Sequence, residues 1–212
     1  AVEVLFADTG LGKTAKEMLS VGDYALLKVQ PQELLNGYVT GKALDDRAGC
    51  MALCLLCEQI AKMDVDFGVS VLFSCQEEIG EQGARVAAFG IAPTHAIVVD
   101  VSFGRVPGDK EYQTGKMKGG PMIGFSAALD RKISRRLVAL AEKHGIPYQR
   151  EAMGGRTGTN CDEIGVSRAG VRTGLISVPQ RNMHTPAEVC DLEDMENVAR
   201  LIAAYITDGA EE

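Results

Sequence analysis

The sequence has no tryptophan, and its 212 residues include only three histidines, His95, His144 and His184. So few imidazoles exclude a histidine-rich metal tract. No apolar run reaches the length of a membrane span, and no signal-peptide layout stands at the start. Basic residues are the minority, with Lys and Arg numbering 22 against 29 Asp and Glu, a net charge of -7 and a pI near 5.1. That balance argues against a nucleic-acid or membrane-surface partner, because both call for basic patches. Internal repeats and low-complexity tracts are absent. The first residue is Ala1 rather than Met, so a processed chain or a piece of a longer one is expected.

What is present suits a soluble globular domain: 46% of residues are hydrophobic, enough for a substantial core. The six cysteines lie scattered in apolar contexts, the pattern of reduced thiols in a cytoplasmic protein rather than a disulfide framework. Cys50, Cys54 and Cys57 have the C-x3-C-x2-C spacing of an iron–sulfur loop. They also fall at i, i+4 and i+7 of an apolar helical stretch, one face of which they share. Free cysteines there are expected to pack as small hydrophobes, since a helix face does not wrap a cluster.

The stretch Gln76-Glu77-Glu78-Ile79-Gly80 organises the rest. It follows residues 69–75, an uncharged run rich in β-branched and aromatic side chains that reads as a buried parallel strand. Two adjacent carboxylates are thereby delivered to a strand's C-terminal end, where open α/β sheets place their sites. Their repulsion is relieved most simply by a divalent cation, with one Glu ligating and the other handling a proton. A glycosidase is excluded, because adjacent carboxylates cannot flank a glycosidic bond.

Before that point the chain reads as short strands and turns: strands over 2–6, 24–29 and 38–44, a brief helix over 14–19, and an Asn36-Gly37 turn. From Asp45 the rhythm becomes α/β. Helices are expected over 46–63, 81–89, 129–144, a short turn ending at Ile164, and 192–206 with Asp191 as N-cap. Strands are expected over 94–100, 121–125, 148–152 and 171–178, with a long glycine- and charge-rich loop over 102–120. The fold class is α/β, a largely parallel sheet flanked by helices, with a small β segment at the N-terminus. Asp45, Glu77, Glu78, Asp100 and His184 then fall at strand ends or in the loops just after them. Carboxylates with an imidazole make a hard, oxygen-rich site suited to zinc, cobalt or manganese.

Four runs carry a resemblance: Lys42-Ala43-Leu44-Asp45-Asp46-Arg47-Ala48-Gly49; Gln76 to Gly80 with Gly83-Ala84; Val99-Asp100-Val101; and Arg181-Asn182-Met183-His184-Thr185-Pro186-Ala187-Glu188-Val189. Residues 154–160 and 174–179 follow the same pattern. The chain resembles the dinuclear-metal aminopeptidases that form tetrahedral particles, often labelled glutamyl aminopeptidases or endoglucanases. The resemblance implies two divalent metal ions, with Asp45 as the bridging ligand across a cis Asp45–Asp46 peptide. Glu78 and His184 complete one metal site and Asp100 serves the other. Glu77 is then the general base that deprotonates the water held between the ions. Peptides with a free N-terminus are the implied substrates, and a twelve-subunit homo-oligomer the implied assembly. Residues 1–43 would be the remnant of the inserted oligomerisation domain, and 44–212 the catalytic domain without its N-terminal part.

The same resemblance supplies a departure. Family members carry a His-x-Asp motif whose histidine is the second ion's remaining ligand, and none of the three histidines here stands in one. The ion at Asp100 is therefore expected to be crippled and the chain alone to be weakly active or inactive. A non-catalytic remnant serving assembly, or a related deacylase or carboxypeptidase, are the alternatives the sequence leaves open.

Overall fold

β-Branched and aliphatic runs form the main sheet in the computed structural model, which describes residues 18–208. Its strands are β3 (His95–Phe103), β6 (Arg172–Gln180), β4 (Met122–Phe125) and β5 (Gln149–Ala152), in the order β3-β6-β4-β5. β3 runs parallel to β6 from His95↔Arg172 to Phe103↔Gln180, and β4 runs parallel to β5. β4 meets β6 antiparallel. The sheet is thus two parallel pairs joined by one antiparallel pair. A smaller antiparallel sheet has the order β1 (Gln32–Glu33), β2 (Tyr38–Gly41), β7 (Glu188–Asp191). The Asn36-Gly37 turn before β2 has both residues at positive φ, 64° and 80°, as that dipeptide predicts.

The helices are α1 (Leu44–Ile60), α2 (Gln82–Ile91), α3 (Arg131–Lys143), α4 (Cys161–Ile164) and α5 (Leu192–Thr207). Asp191 caps α5 as expected, accepting from the Glu193 and Asp194 amides, and Asp130 caps α3 in the same way. α3 stops at Gly145, whose left-handed backbone (φ 61°) lets the Ile146 amide reach back to the Ala141 carbonyl. The strand period of two divides the core between the faces of the main sheet. Val99, Val101, Ile176 and Val178 pack with α1, α3 and α5. Val98 and Leu175 face the other way, onto Ala84 and Ala88 of α2 and Cys161 and Ile164 of α4. By the same alternation Asp100 shares the α2/α4 face with Val98.

Three expectations need correction. Residues 69–75 form no strand: the segment has no ladder partner among the described residues, and Phe73 is half exposed. A β-rich composition makes a strand only where an edge is available to pair with. Residues 24–29 likewise lack a ladder, and Tyr24 is exposed. The cysteines of α1 are helical but exposed. The buried stripe of α1 is Ala48, Ala52 and Leu56, which turns Cys50, Cys54 and Cys57 outward. In addition, β3 continues past Asp100 to Phe103, so that carboxylate sits within the strand rather than at its end. The strand expected over 2–6 and most of the helix expected over 14–19 lie outside the described residues. Among the described residues, no helix is long and apolar enough to cross a membrane.

Candidate metal centre

Three separate chain reversals build the site. The first is the entry to α1, where Ala43 is left-handed (φ 54°), Asp45 and Asp46 are non-helical, and the peptide between them is cis. The second is the 3-10 turn Glu77–Ile79, bracketed by Gln76, Gly80 and Glu81, all at positive φ. This turn is pinned from behind. The Glu81 amide donates to the Gln76 carbonyl and the Gly83 amide to the Cys75 carbonyl. Any side chain at Gly83 would collide with the Cys75 backbone, so a glycine is required for that close approach. The third is the loop between β6 and β7, where Asn182 (φ 55°) and His184 (φ 61°) are left-handed. Of the nine non-glycine residues at positive φ among the described residues, Ala43, Gln76, Glu81, Asn182 and His184 flank this one place. Such clustering is characteristic of functional sites.

These turns bring three predicted ligands together. His184 Nε2 lies 3.0 Å from Asp45 Oδ2 and 3.8 Å from Glu78 Oε2. One donor atom from each of Asp45, Glu78 and His184 falls within 4.8 Å of the others. The Asp45 side chain is largely covered, whereas those of Glu78 and His184 are more than half exposed. A cavity of about 370 Å³ opens beside them, walled by Leu27, Lys42, Ala43 and Pro186. The convergence does not come from strands of one parallel sheet, as the sequence suggested. Asp45 follows β2 of the small sheet at the entry of α1, His184 lies in the loop from β6 of the main sheet to β7 of the small one, and Glu78 sits in the segment before α2.

Asp100 and Glu77 stand beside this group rather than in it. Asp100 is buried, its Oδ1 accepting from the Val101 amide at 2.8 Å. Burial pushes its carboxyl up to about 8, with the carboxylates of Glu77, Asp45 and Glu78 adding to the rise. Glu77 is pushed up to about 7, first by burial and then by Glu78, Glu81 and Asp45. Asp46, whose Oδ1 accepts from the Gly49 amide at 2.9 Å, is pushed up to about 9 by burial and by Asp100. Acidic groups thus crowd together, each raising its neighbours' affinity for protons. A cation among them would reverse that cost. The donor set of two carboxylate oxygens and one imidazole nitrogen fits a divalent ion of the zinc, cobalt or manganese type. His95 and His144 are engaged elsewhere: the first is 2.9 Å from Arg172 Nη1, and the second is beside Asp208.

Sequence reasoning passed over Glu188. It is 2% exposed, and its carboxylate accepts from the backbone amides of Leu44 (2.6 Å), Asp45 (3.2 Å) and His184 (2.9 Å). The available signal was its place four residues after His184 in a run that carried the resemblance.

Fold and site together describe an α/β domain with carboxylates and an imidazole gathered at the entry of α1. The chain belongs to the M42 glutamyl aminopeptidase family, whose model matches residues 1–201. It is similar to the lysyl aminopeptidase of Pyrococcus furiosus, with 34% identity over 163 residues that make up 77% of this chain and 46% of that protein. Among solved structures it is similar to aminopeptidase APDkam598 from the archaeon Desulfurococcus kamchatkensis. The TM-score is 0.83 and the identity 32%, covering 93% of this chain and 57% of that one. It is similar also to the Pyrococcus horikoshii TET1 peptidase, described as assembling into a tetrahedron or a large octahedral shell. There the TM-score is 0.74 and the identity 30%, with coverage of 92% and 57%. The chain therefore spans about half the length of the curated relatives it matches.

Proposed function

We propose that this chain belongs to a metal-dependent aminopeptidase that removes residues from the N-termini of peptides. The observation that carries the reading is the meeting of Asp45, Glu78 and His184 within 4.8 Å. Those residues would hold one divalent ion, and Asp100 would serve a second. A bound ion supplies Lewis-acid polarisation of the scissile carbonyl and makes water a better nucleophile.

The chain's own part falls to Glu77. Its carboxyl, raised to about 7, is matched to proton transfer near neutral pH. It takes a proton from the attacking water as the oxygen bonds to the carbonyl carbon. It then gives that proton to the amine nitrogen as the C–N bond breaks. The cavity beside Asp45 and Glu78 accepts the N-terminal residue, and the carboxylates there favour a cationic α-amine over an acylated one.

His95 and His144 both lie away from the centre, each beside its own partner. That favours a single intact ion site within this chain and weak activity of the 212-residue chain alone. Residues 1–43 are read as the end of an inserted oligomerisation module and 44–212 as the catalytic body, and the assembly is read as homo-oligomeric. A cytoplasmic setting is supported by all six cysteines being free.

The test is elemental analysis after dialysis against zinc or cobalt, paired with hydrolysis of aminoacyl anilides and their N-acetylated counterparts. A metal-to-protein ratio near one, lost in His184→Ala, supports the centre. Faster cleavage of the free-amine substrate supports an aminopeptidase over a deacylase. Failure to retain metal would overturn the reading.

A further inference from the structure

Glu188 lines the cavity beside the metal centre without being one of its three grouped donors, and it touches the backbone of two of them. It opens β7, where it is registered opposite Gly41, the last residue of β2. One oxygen, Oε2, accepts from the Leu44 amide at 2.6 Å and the Asp45 amide at 3.2 Å. The other, Oε1, accepts from the His184 amide at 2.9 Å. A single buried carboxylate therefore spans the two chain reversals that carry Asp45 and His184. Both reversals are conformationally costly: Ala43 and His184 are left-handed without being glycine. The amides they turn inward would lose hydration without a partner, and Glu188 supplies an acceptor for three of them at once. Nearby, Thr185 Oγ1 donates to the Asn182 carbonyl and accepts from the Ala187 amide, which fixes the His184 loop on its own side. Beyond the His184–Asp45 pair itself, Glu188 joins that loop to the entry of α1 by holding backbone amides on both sides.

We propose that Glu188 is a positioning residue for the metal centre: it sets the separation of Asp45 Oδ2 and His184 Nε2 by clamping the two backbones that bear them. This rests on reading Asp45, Glu78 and His184 as a cation site. The consequence is selective. Removing one acceptor oxygen while keeping shape and volume should loosen the ligand spacing more than it weakens the fold.

The experiment uses the full 212-residue chain and cobalt(II) alone as the probe. Affinity is read by absorption or calorimetry, and the metal-free Tm by circular dichroism. Glu188→Gln should bind cobalt about 10–100-fold more weakly, the range seen when partners behind the ligands are lost. Its metal-free Tm should stay close to wild type. Glu188→Asp keeps the charge but shortens the reach, so it should lose affinity as well, because span rather than charge is what matters. In wild type, hydrogen exchange at the Leu44, Asp45 and His184 amides should slow together on adding cobalt. That reading needs no variant to fold. Unchanged affinity in Glu188→Gln, full recovery in Glu188→Asp, or exchange at the three amides that ignores cobalt would each overturn the inference. Failure of the wild type to bind cobalt would instead overturn the metal centre itself.

Discussion

His184 Nε2 approaches Asp45 Oδ2 to 3.0 Å, although one residue lies near the start of the described chain and the other near its end. The two side chains form a hydrogen-bonded pair. With an ion bound as proposed, both atoms would become ligands. His184→Ala and Asp45→Asn should each reduce cobalt affinity by more than the roughly 10–100-fold typical of a supporting partner. Titration of cobalt into each variant checks this, and affinity within a few-fold of wild type would rule out the ligand assignment.

The crowded carboxylates give metal binding a pH signature. Near pH 6.5 the metal-free chain keeps protons on Asp46 (about 9) and Asp100 (about 8), and on much of Glu77 (about 7). A divalent cation should displace protons as it binds. Calorimetry in buffers of different ionisation enthalpy should therefore give buffer-dependent heats at pH 6.5. Stability has a related sign. Asp46 and Asp100 are raised above the ~3.9 expected in the unfolded chain, so the native state holds the extra protons. The free energy of unfolding of the metal-free chain should fall as pH rises from about 4 through 9. Denaturant midpoints at pH 6 and pH 9 decide it, with the lower midpoint expected at pH 9.

Gly83→Ala should damage the site from a distance. The added methyl would collide with the Cys75 backbone and push the Glu77–Ile79 turn away from Asp45. A cost on the order of 1–3 kcal/mol is expected for such overpacking, together with weaker cobalt binding. An unchanged Tm would show that the turn yields freely.

Asp130 is a separate, structural test. Its carboxylate caps α3 and receives a 2.7 Å hydrogen bond from Arg172 Nε. That Arg172 bond, with the cap amides, holds its carboxyl down at about 2 despite partial burial. Asp130→Ala should cost about 1–2 kcal/mol, as losing a helix cap does. Because its pKa is depressed, the stabilisation is present above about pH 4 and disappears as the pH falls towards 2. The gap between wild type and variant should therefore narrow in acid melts.

Much of this was legible in the sequence, and the failures share a cause. The positions of α3 and α5 and the capping role of Asp191 follow from local pattern, because caps and apolar spacing act within a few residues. Asp45, Glu78 and His184 could be named because they sit in runs of distinctive chemistry. The state of residues 69–75 was not legible, since strand formation depends on a partner that local composition does not specify. The outward face of Cys50, Cys54 and Cys57 was missed because cysteine pattern alone does not say which stripe of a helix meets the core. Glu188 was passed over because a glutamate in a loop reads as solvated until its three amide partners are seen.

That outward face makes a chemical prediction. Cys50, Cys54, Cys57 and Cys75 are exposed, whereas Cys161 and Cys190 are buried. Burial pushes the Cys161 thiol up to about 12 and raises that of Cys190 as well, which leaves both unreactive. An aromatic disulfide reagent should titrate the four exposed thiols in the native chain and the remaining two only in denaturant. Fast reaction of all six under native conditions would contradict the burial.

The pairing of β2 with β7 also sets an order of events. Tyr38–Gly41 pairs on one side with the nearby Gln32–Glu33 and on the other with Glu188–Asp191, so closing the second ladder means joining segments separated by most of the chain. Such closures are entropically late and slow compared with local helices. During synthesis Asp45 leaves the ribosome long before His184 exists, so a nascent chain has no assembled cation trap to fill. A cation held by Asp45 and His184 together, as proposed, would meet both ligands only once these two distant segments had been made.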